Sequence, residues 1–202
     1  MAAVRHGDDV AQLLKGDVHR STVSIVMIQT FDFTNQSTYC NMVAGGKKNM
    51  DRTMVTELNR LLADYTVLYQ KLRGYHWRVS GPAFFQLHEK FGELYEDAAA
   101  KADELAERIL ALGREPFYTL REALAEARLA EDGATAEASG MVRALVDDYR
   151  ALGSHLRAAA GSAAAAGDTA TMNLLEGFAD GQEKTVWMLS AWLAERPAPV
   201  AA

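Results

Sequence analysis

The chain has 202 residues, a formal net charge of −6 and one cysteine, Cys40. This length is enough for one well-buried domain with a remainder. The acidic charge balance argues against broad, phosphate-driven binding of nucleic acid. A lone cysteine excludes an internal disulfide framework and fits a reducing compartment. No apolar run reaches the roughly 18 residues of a membrane span. Acidic residues precede the only apolar stretch near the start, so no signal peptide is predicted and the expected location is the cytoplasm.

Residues 1–49 differ in composition from the rest of the chain. They mix charges, a short apolar run over Thr22–Phe33 and a polar segment that ends in GGKKN. The apolar run fits a strand or a short helix, and its periodicity does not distinguish them. We expect a mobile or weakly ordered N-terminal extension, with Met50 as an alternative natural start. Its few basic residues are offset by acids, which favours a solvated tail over a DNA-binding one.

Four long amphipathic helices and a short one are predicted in the remainder. Apolar residues recur at three- and four-residue intervals, and Gly81-Pro82, Gly113 and Gly161 mark the breaks. The predicted spans are 53–79, 83–112, 119–129, 135–160 and 168–193, with Asp168 as the cap of the last. This pattern predicts an all-α four-helix bundle with a short helix in the crossover between long helices 2 and 3. The domain would span 50–196, followed by a tail over 197–202.

Four residues stand out as candidate metal ligands: His76 and His88, then Asp103 and Glu107 one helical turn apart. Imidazole and carboxylate groups of this kind hold iron or zinc. His88 and Asp103 fall on the same predicted helix, about 22 Å apart along its axis at about 1.5 Å per residue. One chain therefore cannot place both on one ion. Either the two pairs are unrelated, or the site closes across a two-fold interface between chains.

Each pair alone has a plain structural reading. A histidine on an apolar face is more often a hydrogen-bonded core residue, and Lys101 and Arg108 near the carboxylates are typical of a solvated helix face. No Glu is followed three residues later by His, so a di-iron centre within one bundle is not predicted. HExxH and CxxC metal motifs are also absent from the sequence.

The segments YHWRVSGPAFFQLHEKF and ADELAERILALG, with the connector TLREALAEARL and the closing EKTVWMLSAWL, resemble the signature of the Dps family of mini-ferritins. The resemblance extends over about residues 52–195. It implies ferritin-like four-helix subunits that assemble into a hollow dodecamer, with ferroxidase sites at the two-fold interfaces. Such a site has the inter-chain arrangement that the helix spacing allows.

The resemblance also implies roles for individual residues. His76 and His88 would come from one subunit, Asp103 and Glu107 from its partner, and together they would be both the metal ligands and the catalytic residues. Trp77 would pack beside the pocket, with core filling as its alternative role. The implied reaction is oxidation of Fe(II) by hydrogen peroxide, with iron as substrate and stored ferric product, which protects DNA. The charge balance predicts that any DNA binding is weak, and the expected location stays the cytoplasm, with association with the nucleoid as an alternative.

Two positions depart from the family pattern. Gly92 stands four residues after the second histidine, where the family usually has a carboxylate. Glu93, a water or Glu96 would have to replace that carboxylate. Asn173 stands where pore-lining Asp is common, which leaves Asp168 and Glu176 as candidates for an acidic path into the cage. Gly92 motivates the alternative of a non-enzymatic cage or DNA-compaction protein with a degenerate site. A third alternative is a monomeric bundle with buried histidines.

Overall fold

The computed structural model describes residues 52–194, and the secondary structure in that part of the chain is entirely helical. The helices are α1 (Arg52–Arg78), α2 (Phe84–Ala111), α3 (Leu120–Glu126), α4 (Ala138–Ala165) and α5 (Thr169–Leu193). The predicted extension over 1–49, the tail over 197–202 and the domain limits at 50 and 196 lie outside the described residues. Among the helices described, none is both long and apolar enough to cross a membrane.

The four long helices form two antiparallel pairs. α1 packs along α2, α4 packs along α5, and α1 also contacts α3 and α4. Gly81 (φ 92°) and Gly167 (φ 69°) make the tight turns within the pairs, in a backbone region that favours glycine. These contacts confirm the predicted all-α four-helix bundle with a short helix between long helices 2 and 3.

The predicted apolar stripes form one core shared by the long helices. The largest fully buried side chains are three tyrosines, one phenylalanine and a set of aliphatic residues: Tyr65, Tyr75, Tyr149, Phe91, Leu58, Leu61, Leu68, Leu72, Leu105, Ile109, Met141 and Leu145. Complete burial of one such aliphatic or phenylalanine side chain contributes about 1.5–3 kcal/mol. The core therefore supplies the rigid frame on which α1 and α2 hold the candidate ligands.

Two buried polar residues of α1 hold the crossover segment on the bundle. The Asn59 side chain accepts a hydrogen bond from the Phe117 N–H (2.8 Å). The fully buried Asp64 carboxylate accepts the backbone N–H groups of Arg128 (2.6 Å) and Leu129 (3.1 Å), and the Arg128 guanidinium as well (2.7 Å). These bonds satisfy loop N–H groups that no helix pairs.

The short helix ends earlier than predicted, at Glu126 rather than near residue 129. Thr119 starts it with a reciprocal capping box to Glu122. After seven residues, about two turns, the backbone becomes extended at Ala127 (ψ 139°), because Asp64 binds the next two N–H groups in place of helix carbonyls. A long-range contact thus ends a helix that the local sequence would continue.

α4 is shifted towards the C-terminus relative to the predicted span 135–160. It starts at Ala138 because Asp132 accepts the N–H groups of Ala134 (2.9 Å) and Thr135 (3.0 Å) and holds them in a turn. It runs through Gly161 to Ala165, so the prediction that Gly161 ends the helix was wrong. A helical glycine costs about 1 kcal/mol relative to alanine, and the surrounding alanines carry the helix past it.

Candidate metal centre

The α1–α2 hairpin brings His76 and His88 face to face. His76 lies in the last turn of α1 and His88 in the second turn of α2, and both are half-buried. Their rings stack with centroids 3.7 Å apart and planes 22° apart. Two of the four predicted ligands therefore meet within one chain.

Each imidazole is held by the backbone of the other residue. His76 Nδ1 lies 2.6 Å from the His88 carbonyl oxygen, and His88 Nδ1 lies 2.8 Å from the His76 carbonyl oxygen. A carbonyl oxygen only accepts, so both Nδ1 atoms carry the proton and donate. In the neutral rings the lone pairs then lie on the two Nε2 atoms. This backbone support orients imidazoles in the way that metal-binding histidines require.

Aromatic side chains enclose the histidine pair. Tyr95 meets His76 edge to face at 5.4 Å, and Phe84 stacks on His88 at 5.0 Å. Tyr95 lies two helical turns after His88, so the spacing along α2 was the signal that could have identified it. Trp77 is 60% exposed, and its ring lies 4.8 Å from the Arg73 guanidinium carbon. Core filling within one chain is therefore not the role of Trp77.

The structure does not bring the carboxylates to the histidines. Asp103 and Glu107 are exposed on α2, which is continuous from Phe84 to Ala111, so Asp103 lies about 22 Å from His88 along the axis. Within residues 52–194, neither carboxylate forms a hydrogen bond or an ion pair. That same part of the chain contains no cluster of three or more His, Cys, Asp or Glu residues able to hold a metal.

Gly92 faces the ring of His76. A Cβ at this position would lie 3.5 Å from Nδ1 and 3.6 Å from Cε1 of His76, and would meet nothing else within 4 Å. The expected substitute Glu93 instead pairs with Lys90, its Oε2 lying 2.7 Å from Nζ. Glu96 is exposed and contacts neither histidine. No acidic side chain of the described chain fills the place next to His76.

Asp168 was predicted both to cap the last helix and to line an acidic path into the cage. The capping prediction is confirmed, since its carboxylate accepts the Thr171 N–H. The second role is contradicted, because Asp168 is only 1% exposed and Arg108 Nη2 donates to both of its oxygens, at 2.8 and 2.9 Å. Asn173 and Glu176 are exposed.

Comparison with known proteins agrees with this architecture. Residues 55–197 match the ferritin-like domain family. The chain is 43% identical over 147 residues to a DNA protection during starvation protein of Brevibacillus brevis, covering 73% of this chain and 99% of that protein. Dps from Staphylococcus aureus is 39% identical with a TM-score of 0.71, covering 72% of this chain and 98% of the other. Dps from Vibrio cholerae O1, described as a member of a broad superfamily of ferritin-like diiron-carboxylate proteins, is 40% identical with a TM-score of 0.69, covering 71% and 90%. The chain therefore belongs to the Dps family of ferritin-like proteins.

Proposed function

We propose that this protein oxidises Fe(II) with hydrogen peroxide at sites shared between two chains, and stores the ferric product in a hollow homo-oligomer. One observation carries the proposal. A histidine pair with both Nε2 atoms available lies at one end of α2, and two carboxylates without a partner in the described chain lie at the other. Each end has half of a ligand set.

Antiparallel pairing of two α2 helices about a two-fold axis completes the set twice. If the two-fold axis crosses α2 near residues 97–98, the two α2 helices can approach closely there, because the exposed side chains of Ala99 and Ala100 are small. Three pairs then face each other: Phe85 and the partner's Leu110, His88 and the partner's Glu107, and Gly92 and the partner's Asp103. Phe85 is 81% and Leu110 58% exposed in one chain. The same pairing would bury both, which favours it over a solvated α2 face.

The ligand set suits the chemistry. Imidazole nitrogen and carboxylate oxygen bind Fe(II), and the carboxylates stabilise the more highly charged Fe(III) product. Two Fe(II) ions each give up one electron, and hydrogen peroxide with two protons becomes two waters. Because iron and peroxide are consumed together, hydroxyl radicals are not released. This fits the relatives named for DNA protection, and we place the reaction in the cytoplasm beside the DNA.

The test is complementation between subunits. One variant lacks the histidines (His76→Ala with His88→Ala) and the other lacks the acids (Asp103→Ala with Glu107→Ala). Each alone should lose rapid Fe(II) oxidation in stopped flow with peroxide. In a mixed dimer one site combines both intact halves, so random co-assembly should restore about a quarter of the wild-type sites. Unchanged oxidation in His76→Ala with Asp103→Ala, or no recovery in mixed assemblies, would refute the shared site.

The assembly itself is tested by light scattering. We expect a particle of about twelve chains, the dodecamer that the resemblance to the Dps family implies. A monomer at micromolar concentration would instead support the isolated bundle with buried histidines. It would exclude both the shared site and the cage.

Gly92 favours one alternative function, a non-enzymatic cage or DNA-compaction protein. Gel shifts at low and physiological salt distinguish it, because binding through phosphates weakens steeply as salt rises. With a net charge of −6, we expect weak binding that is lost at physiological salt. Full DNA retention there, together with absent ferroxidase activity, would favour the alternative.

A further inference from the structure

Gly92 is an interior residue of α2 whose lack of a side chain has no packing reason within the described chain. An added Cβ would make only ordinary van der Waals contact, at 3.5 and 3.6 Å, with two ring atoms of His76. Glycine is less favourable than alanine inside a helix. Close approach of α1 and α2 therefore does not require a glycine at this position.

Position 92 lies beside the ring of His76, whose Nε2 is the proposed metal-binding atom. A Cβ at position 92 would lie 3.6 Å from Cε1, the ring carbon bonded to Nε2, so the carboxylate of a longer acidic side chain there would be within reach of the pocket beside that nitrogen. The neighbouring acids on α2 do not take that place: Glu93 pairs with Lys90, and Asp97 pairs with Lys101.

The number of ligands then decides how many ions the pocket holds. Under the proposed function, each pocket has two imidazoles from one chain and two carboxylates, Asp103 and Glu107, from its partner. A non-haem Fe(II) site is complete with two histidines and one carboxylate. Di-metal bundles use about six protein groups for two ions. Four groups serve one ion well and leave a second without ligands of its own.

We propose that Gly92 is the residue that limits each pocket to one tightly held metal ion. The inference rests on the proposed function and specifies its stoichiometry. The two-electron reduction of peroxide still consumes two Fe(II) ions, with one held in the pocket and the second arriving from solution. A carboxylate installed at position 92 supplies the missing group and creates a second tight position.

Zinc provides a redox-inert measurement of this stoichiometry on the full-length assembled protein. Samples are loaded with excess Zn(II) and dialysed against metal-free buffer, and the retained zinc is counted per chain. The count for the same protein carrying His76→Ala is subtracted, so that only pocket zinc remains. Gly92→Glu is compared with Gly92→Gln, which has the same size without charge. Gly177→Glu is the matched control, because Gly177 is an exposed helical glycine with open space around it.

We expect one pocket zinc per chain in the wild type, in Gly92→Gln and in Gly177→Glu, and twice that in Gly92→Glu. Gly92→Asp is the second variant if light scattering shows that Gly92→Glu does not assemble. Two pocket ions in the wild type, or one in an assembled acidic variant, would overturn the inference while leaving the shared site intact. If neither His76→Ala nor Asp103→Ala lowers the amount of zinc retained per chain, the proposed function itself is overturned.

Discussion

Replacement of Asp168 by Asn should destabilise the bundle in a pH-dependent way. Asp168 caps α5 and is almost completely buried. Its carboxylate accepts two bonds from Arg108, at 2.8 and 2.9 Å, and two from Thr171, through the N–H at 3.2 Å and the hydroxyl at 2.5 Å. An amide at this position keeps the size of the side chain but loses the charge and one acceptor oxygen.

The magnitude follows from the pKa of Asp168. Burial by itself raises this pKa, but the hydrogen bonds from Thr171 and Arg108 outweigh burial and lower it from 3.8 to about 2. A difference of this size corresponds to about 2.4 kcal/mol of folding free energy at neutral pH. Because the folded pKa is the lower one, this stabilisation is present above pH 3.8 and is lost as the pH falls towards 2. About half of it remains at pH 3.

The assay is urea unfolding followed by far-UV circular dichroism at one chain concentration, at pH 7 and pH 3. Asp168→Asn should lose about 2–3 kcal/mol at pH 7 and about half as much at pH 3. Asp180→Asn is the control, an exposed carboxylate on the same helix whose loss should stay within about 0.5 kcal/mol. A deficit no larger than the control at pH 7, or equal at both pH values, would refute the reasoning.

Three further substitutions test the contacts that hold the bundle together. Asn59→Ala should cost about 1–3 kcal/mol in urea unfolding, because the Phe117 N–H loses its acceptor; a loss below 0.5 kcal/mol, about the level of a surface substitution, would contradict this. Lys71→Met should cost about 3–5 kcal/mol, because the half-buried Asp148 carboxylate, 2.6 Å from Nζ, loses its counter-ion. Lys71→Met with Asp148→Leu should recover most of that loss, and an equally unstable double variant would argue against the ion pair as the cause. Thr119→Ala should cost about 1 kcal/mol through loss of the capping box, and unchanged stability in the same assay would contradict that role.

Much of the fold could be predicted from local patterns. Apolar residues at three- and four-residue spacing predicted the four long helices to within about five residues at each end. The larger boundary errors arose at the short helix and at α4. At α4, the local turn made by Asp132 delays the start, and the helix runs past Gly161 to Ala165. At the short helix, the distant Asp64 binds backbone N–H groups and ends the helix early. Helix propensity describes single residues and does not include a contact with a residue distant in the chain.

The candidate site, like the fold, was predictable in some features and not in others. Counting residues along one helix was enough to show that His88 and Asp103 of one chain cannot share an ion, and the unbroken α2 supports that prediction. The reciprocal bonds that orient the two imidazoles were not predictable, because they depend on how two helices meet. The misassigned second role of Asp168 has the same origin, since its partner Arg108 is 60 residues away.

The sequence by itself determined the helical class and the family and predicted the types of the candidate ligands, because these depend on periodicity and on residue chemistry at short spacing. Only the tertiary structure decided which side chains are held, buried or left without a partner. Those properties arise from contacts between helices distant in the chain, which stack His76 on His88, enclose Asp168 and leave Asp103 and Glu107 exposed on α2.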